Sequence, residues 1–424
     1  MRSLLALVVC IAGCSLDVLP LGGDDRDGLH LKDTPVAYLA DAVGDKTLAQ
    51  VFDDGLAFAA KPDPTPLLAA TAALDDDRPR AGKARLRVLD YNVALLDAQI
   101  FGVIDYKRSP DLDERRRALP DLALDGTFDI VCAQEVWKEQ DLDTWTQKAR
   151  ARGYQAFAQD REQSDDGVMV FVRLDAIAGG TIPRLASHEP YASQDGTEYF
   201  PGPGIKRGYL EVELTHKEAG PVRVFCTHMQ AFPENWRGRM HQARELGIAA
   251  RTHAQPGELL IVAGDMNAGP YYNATDWQPP TGDAFHEWFH NALSYPLLLV
   301  YAGLVDAAIM GKSADDAVGD VTLGDTVVND AKKSTATPGA ADGWCDALPK
   351  TTLTAVDCNS LYFQQYAGTE FPARIDHIFV RDRPDLVVTD SKLLFTEPRD
   401  FAGVRVEPSD HYAVGVELLV DRAR

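Results

Sequence analysis

The feature that most constrains this chain is a series of short apolar runs, each stopping on a polar residue. Arg87-Val88-Leu89-Asp90-Tyr91 leads to Asn92, and Ile130-Val131-Cys132-Ala133-Gln134 leads to Glu135. Val224-Phe225-Cys226-Thr227 leads to His228, and Leu260-Ile261-Val262-Ala263-Gly264 leads to Asp265 and Asn267. Near the C-terminus the order inverts, with Asp410 and His411 ahead of Tyr412-Ala413-Val414. Runs of this length, bounded by turn residues, read as strands. Strand ends are where a sheet presents side chains to a shared cleft. Singly, each has an ordinary explanation: Asn92 caps a turn, Gly264-Asp265 is a turn, His228 is a satisfied core histidine. Their recurrence along one chain points to a single cleft.

The wider pattern agrees. Strands are predicted over Leu86 to Val93, Phe128 to Gln134, Gly167 to Val172, Gly208 to Leu214, Val222 to Thr227 and Leu259 to Ala263. Later ones are predicted over Ile375 to Val380, Leu386 to Thr389 and Tyr412 to Leu418. Helices are predicted over Asp111 to Leu124, with Pro120 as a break, over Leu142 to Ala151, and over Trp236 to His253. Strands with helices between them imply an α+β fold of packed sheets flanked by helices. The segment from Tyr271 to Pro372 is long and irregular, with an acidic, glycine-rich part from Asp315 to Asp346. Its earlier stretch, Phe285 to Leu304, reads as a buried helix. No internal repeat is evident.

The chain has 424 residues and is 45% hydrophobic, enough for one large domain or two modest ones. The net charge of −22 disfavours a phosphate backbone or an anionic lipid surface at long range. It does not penalise a zwitterionic headgroup. Arg2 followed by the apolar run Leu4 to Ala12 reads as a signal peptide, too short to span a bilayer. Ile11-Ala12-Gly13-Cys14 resembles a bacterial lipobox, which implies cleavage after residue 13, lipidation of Cys14 and a membrane-anchored lipoprotein. An ordinary secretory signal is the alternative, and either exports the protein. Residues 14–83, with many aspartates and the stiff run Lys61-Pro62-Asp63-Pro64-Thr65-Pro66, read as a tether or accessory region. Val36 to Leu48 within it suits a helix, and Asp75-Asp76-Asp77-Arg78-Pro79-Arg80 reads as a further break. The main folded domain is then 84–424. Cys132 and Cys226, in apolar runs, read as inert core thiols. Cys345 and Cys358, in a polar segment of an exported chain, are the disulfide candidate.

Taken in order, Leu89-Asp90-Tyr91-Asn92, Gln134-Glu135, Thr227-His228, Gly264-Asp265-Met266-Asn267, Arg374-Ile375-Asp376-His377 and Ser409-Asp410-His411 resemble the endonuclease/exonuclease/phosphatase superfamily. Each motif is weak alone, and the ordered set is strong. The resemblance implies a four-layer sandwich: two packed, mostly antiparallel sheets with helices outside. Thr227-His228-Met229-Gln230-Ala231, Gly264-Asp265-Met266-Asn267, the Arg239, Gln242 and Glu245 helix, and Asn359 ahead of Asp376 look most like secreted bacterial sphingomyelinases.

Phosphodiester hydrolysis needs an activated water and charge neutralisation at phosphorus, tasks suited to a hard divalent cation on oxygen ligands. The resemblance implies Glu135 as main metal ligand with Asn92 beside it, and magnesium as the ion, manganese or calcium fitting similar ligands. It implies His411 as general base oriented by Asp376, with Asp265 and Asn267 placing water and a phosphoryl oxygen. His228 would stabilise charge on phosphorus, and Asp410 would complete the metal or hydrogen-bond shell. His377 stands where relatives often have tyrosine and reads as structural; His241, His253, His286 and His290 lack motif context. The substrate expected first is a choline phospholipid and the alternative is nucleic acid, supported by Arg237, Arg239, Arg244 and Arg251 on one helix. A catalytically silent surface binding module is the reading from another class. A monomer is expected.

Overall fold

The computed structural model describes residues 47, 50, 74, 78–100, 104–108, 112–160, 166–194, 205–231, 235–269, 298, 301–312, 374–401 and 403–422. The first strands are β1 (Lys83–Asn92), β2 (Asp97–Ile100), β3 (Ile104–Arg108), β4 (Ile130–Gln134), β5 (Tyr154–Ala158), β6 (Met169–Arg173), β7 (Arg184–Pro190) and β8 (Gly208–His216). The others are β9 (Gly220–His228), β10 (Leu259–Asp265), β11 (Leu304–Asp306), β12 (Asp376–Arg381), β13 (Val387–Leu394), β14 (Arg399–Phe401), β15 (Val404–Val406) and β16 (Ala413–Asp421). They build two six-stranded sheets, ordered β13-β16-β1-β4-β6-β5 and β11-β12-β10-β9-β8-β7, plus the small ribbons β2-β3 and β14-β15. Helices α1 (Leu112–Ala123), α2 (Glu139–Ala151) and α3 (Trp236–His253) complete an α+β sandwich, as expected.

Both sheets follow one plan. Each has a parallel pair at its centre, β1 with β4 and β9 with β10, and antiparallel neighbours on either side. The carboxyl ends of four central strands therefore point to one end of the sandwich. The antiparallel β12 and β16 start at that same end, with Asp376 opposite Asp265 and Val414 opposite Asp90.

Side chains alternate along a strand, so each strand gives one set to the space between the sheets. Leu86, Val88, Ile130, Cys132, Val224, Cys226, Ile261, Ala263 and Ile378 fill that space. The outward set of the first sheet, including Leu89, Tyr91, Val131 and Phe171, packs under Leu112 and Leu119 of α1 and Leu142 and Trp145 of α2. Each large apolar side chain so buried contributes roughly 1.5–3 kcal/mol. Helix α3 lies outside the second sheet, with its His253 ring 6.3 Å from Phe225.

Two expectations are corrected. Cys132 and Cys226 are not free thiols: they form a disulfide joining β4 to β9 across the core, with Cα atoms 5.8 Å apart. Both sit in inward positions of facing strands, a proximity that 94 residues of separation conceal. Pro120 does not break its helix; α1 continues to Ala123, and Leu124 N–H reaches the Pro120 carbonyl at 3.0 Å. The amide that proline lacks costs one bond, while Leu119 and Ala123 stay fully buried.

Arg78 is already on the domain, donating to the Arg383 and Leu386 carbonyls. Of the expected buried helix, Leu298 and Tyr301-Ala302 are helical and buried. The signal segment 1–13, Cys14, the 36–48 helix except Thr47, Cys345 and Cys358 lie outside the described residues. No helix among those described is long and apolar enough to cross a membrane.

Candidate active site

The polar residues of the sequence motifs continue the inward rows of the core. On β1 the row runs Leu86, Val88, Asp90, Asn92; on β4, Cys132, Gln134; on β9, Val224, Cys226, His228; on β10, Ile261, Ala263, Asp265. At one end of the sandwich the same faces that hold methyl groups hold amides, carboxylates and imidazoles.

Asp265 is the hub. Its Oδ2 accepts from Asn92 Nδ2 at 2.9 Å, across the two sheets. The same oxygen is 3.4 Å from His228 Nε2 and 3.9 Å from His411 Nε2. Its Oδ1 accepts the Asn267 backbone N–H at 2.8 Å, and Asn267 Nδ2 donates to the Met229 carbonyl. His411 Nδ1 is 2.8 Å from Asp376 Oδ2, which leaves Nε2 toward the site. Ser409 supports this corner, donating to the Asn92 carbonyl and accepting the His411 N–H.

Two backbone features bring these groups so close. Gly264 has φ +150, and a Cβ there would stand 2.1 Å from the Thr227 carbonyl oxygen. Only glycine lets β10 approach β9 at the residue before Asp265. Glu135 takes a left-handed φ of +64 immediately past β4, which turns it out of the strand. Such a conformation in a non-glycine residue is held by its surroundings.

Glu135 is half-buried, and donors fix both of its oxygens: Asn92 Nδ2 to Oε1 at 3.2 Å and Trp137 Nε1 to Oε2 at 3.1 Å. Asn92 Oδ1 is engaged by the Ala94 N–H at 3.0 Å. Asn92 is thus the donor that bridges Glu135 and Asp265. Asp410, fully buried, neighbours Ser409 Oγ at 3.4 Å and raises the Glu135 pKa through space.

The electrostatics follow from crowding acids in a dry place. Burial, with Asp376 adding to it, pushes Asp265 up to about 7 despite His411 and two hydrogen bonds. Burial and then Asp410 raise Glu135. Burial and then Asp376 push Asp90 well above the carboxylate range, although Gln134 donates to it at 2.8 Å. Burial lowers His228 well below the ordinary imidazole value, with Arg207 and His411 adding to that. Burial opposes charge on His411 as well, but the Asp376 carboxylate, then Asp265 and Asp410, outweigh it and raise its pKa well above normal. One donor atom each from Asp265, Asp376 and His411 falls within 4.8 Å of the others. Crowded carboxylates that resist ionisation, with oxygen donors in the majority, suit a hard divalent cation.

All eight expected site residues, Asn92, Glu135, His228, Asp265, Asn267, Asp376, Asp410 and His411, gather at this end. His377, by contrast, is buried away from them between Asp306 Oδ2 and the Ala268 carbonyl, each at 3.0 Å. The sequence reading missed Asp90, Trp137 and Arg207. Asp90 had a signal, an acid in an inward-facing strand position; Trp137 and Arg207 had none.

A family model described as Endonuclease/Exonuclease/phosphatase family matches residues 91–411. Among solved structures, the chain is similar to Danio rerio TDP2 complexed with a single-strand DNA product, at 17% identity, covering 79% of this chain and 99% of that one, TM-score 0.47. An endonuclease/exonuclease/phosphatase family protein from Bacteroides thetaiotaomicron is 17% identical, with 80% and 99% covered and TM-score 0.47. Beta toxin from Staphylococcus aureus is 15% identical, with 78% and 99% covered and TM-score 0.46. No curated protein matches the chain.

Proposed function

The chain belongs to the Endonuclease/Exonuclease/phosphatase family, and from that premise we propose that it is an exported, metal-dependent phosphodiesterase acting on a choline phospholipid. The observation that carries the reaction class is the Asp265 hub, which joins Asn92 and His411 of the first sheet to His228 of the second, with Asp376 behind His411.

Each side chain then has a task. Asp376 fixes Nδ1 of His411, so Nε2 takes the proton from water while the water oxygen bonds to phosphorus. Asp265 and Asn267 place the water and a phosphoryl oxygen. His228, kept neutral by burial and Arg207, gives a hydrogen bond to the developing charge without repelling a cation. The bond that breaks joins phosphorus to the lipid alcohol, releasing the alcohol and phosphocholine. Glu135 would hold a divalent cation such as magnesium, which would supply positive charge beside the phosphoryl oxygens and offset the carboxylates around His411.

The choice of a lipid over nucleic acid rests on two of the four arginines of α3. Arg239 is fully buried and donates to the Gln230 carbonyl, and Arg244 lies 5.8 Å over the Tyr301 ring. They hold loops and helix packing, not a groove for phosphates. The net charge of −22 acts in the same direction. Export is supported by the Cys132–Cys226 disulfide, which suits an oxidising compartment. The test is parallel hydrolysis of sphingomyelin, phosphatidylcholine and plasmid DNA with magnesium, reading phosphocholine release and nicking. Lipid turnover abolished by EDTA is expected. Cleavage of DNA alone replaces this reading with a nuclease, and hydrolysis of nothing replaces it with a silent binding module.

A further inference from the structure

Glu135 stands on the first sheet, yet what holds its carboxylate runs back to the second. Trp137 Nε1 donates to Glu135 Oε2 at 3.1 Å. The Trp137 ring lies 6.3 Å from the His228 ring, and the Arg207 guanidinium sits 5.8 Å from the Trp137 ring centre. A guanidinium over an indole face is attracted by the ring's negative quadrupole and restrains its orientation. Arg207 is itself buried, 2% exposed, at the residue before β8.

Its backbone is held on both sides by one amide. Arg207 N–H donates to Gln194 Oε1 at 2.9 Å, and Gln194 Nε2 donates to the Arg207 carbonyl at 2.8 Å. The strap that carries Gln194 is tied to α3, where Glu245 accepts the Ala192 and Ser193 N–H groups. The next residue, Gly208, donates to Asp166 Oδ2, and the Asp166 carbonyl faces His228 Nδ1 at 3.5 Å. The anchor of Arg207 and the support of His228 are thus one piece of structure.

We propose that Trp137 and Arg207 are positioning residues that set the Glu135 carboxylate for its cation, and that Arg207 transmits the position of the second sheet to that ligand. The inference rests on Glu135 being the metal ligand. Partners that orient a ligand typically change metal affinity by about 10–100-fold when removed.

The test is Mn2+ titration of the purified protein by electron paramagnetic resonance of the free ion. Inorganic phosphate inhibition and thermal unfolding are measured on the same samples. Trp137→Phe keeps the ring and removes the N–H, and is expected to weaken Mn2+ binding about tenfold. Arg207→Met is expected to weaken it severalfold, and Arg207→Lys, which keeps a cation at the ring, to restore most of the loss. The phosphate inhibition constant should stay within about twofold for Trp137→Phe. A folded Trp137→Phe or Arg207→Met protein that binds Mn2+ as tightly as the parent overturns the proposal. A parent protein that takes up no Mn2+ overturns the metal reading of Glu135 as well, so the two failures are told apart.

Discussion

In the first sheet the inward side chains at the site end are Asp90, Asn92 and Gln134, with Glu135 just past β4; in the second they are His228, Asp265 and Asp376. The strand plans match, with a parallel pair at each centre, but the chemistry is divided. The first sheet offers amides, the fully buried Asp90 and the half-buried Glu135 carboxylate, turned out of its strand by a left-handed backbone. The second offers an imidazole kept neutral and buried carboxylates, of which Asp265 is pushed up to about 7 by burial and then by Asp376. His411 follows the chain into β16 of the first sheet, yet its partner Asp376 opens β12 of the second. Neither sheet holds a complete set. The distance between the sheets is therefore part of the site, and the links that span it include Asn92 to Asp265, His411 to Asp376, and the disulfide from Cys132 to Cys226.

The division can be broken most sharply at the His411–Asp376 link. His411→Ala is expected to lower kcat by about 10³-fold while the far-ultraviolet circular dichroism stays unchanged; substantial turnover in a folded variant would remove the general-base role. Replacing both disulfide cysteines with alanine opens a loop of roughly 90 residues, so denaturant unfolding should show a loss of about 4 kcal/mol. Because both sulfurs are buried, a reductant should reach them only on unfolding; a mass gain with alkylating agent in the native state would contradict that.

Smaller effects separate the sheets by role. Glu135→Gln should weaken Mn2+ binding about tenfold or more, while Asp265→Asn should mainly lower kcat. Equal loss of metal binding in both would merge the two halves into one metal site.

The mildest test concerns the β11–β12 corner. Burial opposes ionisation of Asp306, but Arg374 at 2.6 Å and His377 at 3.0 Å hold its pKa down to about 2. A depressed acid stabilises the fold above its unfolded pKa of about 4 and loses that contribution as pH falls through about 2. The Asp306→Asn variant should therefore lie below the parent at neutral pH, with the gap shrinking by about 2 kcal/mol between pH 4 and pH 2. A gap independent of pH would remove Asp306 as the titrating group.

Much of this was legible in the chain, for identifiable reasons. The helix from Trp236 to His253 was read at its observed bounds, and every predicted strand exists. Buried runs ending in a polar residue signal both the strand and the end that faces the cleft. Strands β5 and β7 were not seen, because Tyr154–Ala158 mixes polar and apolar residues and Arg184–Pro190 leaves both faces largely exposed. Pro120 misled because local propensity weighs a lost hydrogen bond and cannot weigh the packing of Leu119 and Ala123 against it.

Sequence by itself determined a fold of packed sheets and seven of the polar residues, because strand periodicity and strand ends are written in consecutive residues, while the two-sheet sandwich and Asp376 were implied by the family resemblance. The tertiary structure alone decided that Cys132 meets Cys226, that Asn92 bridges two carboxylates as a donor, and that Arg207 rests on Trp137. It also decided that burial reverses the ordinary charge preferences of Asp265 and His228. Those properties depend on which strand faces which and how much water remains between them, and residues 43 or more apart in the chain carry no local record of either.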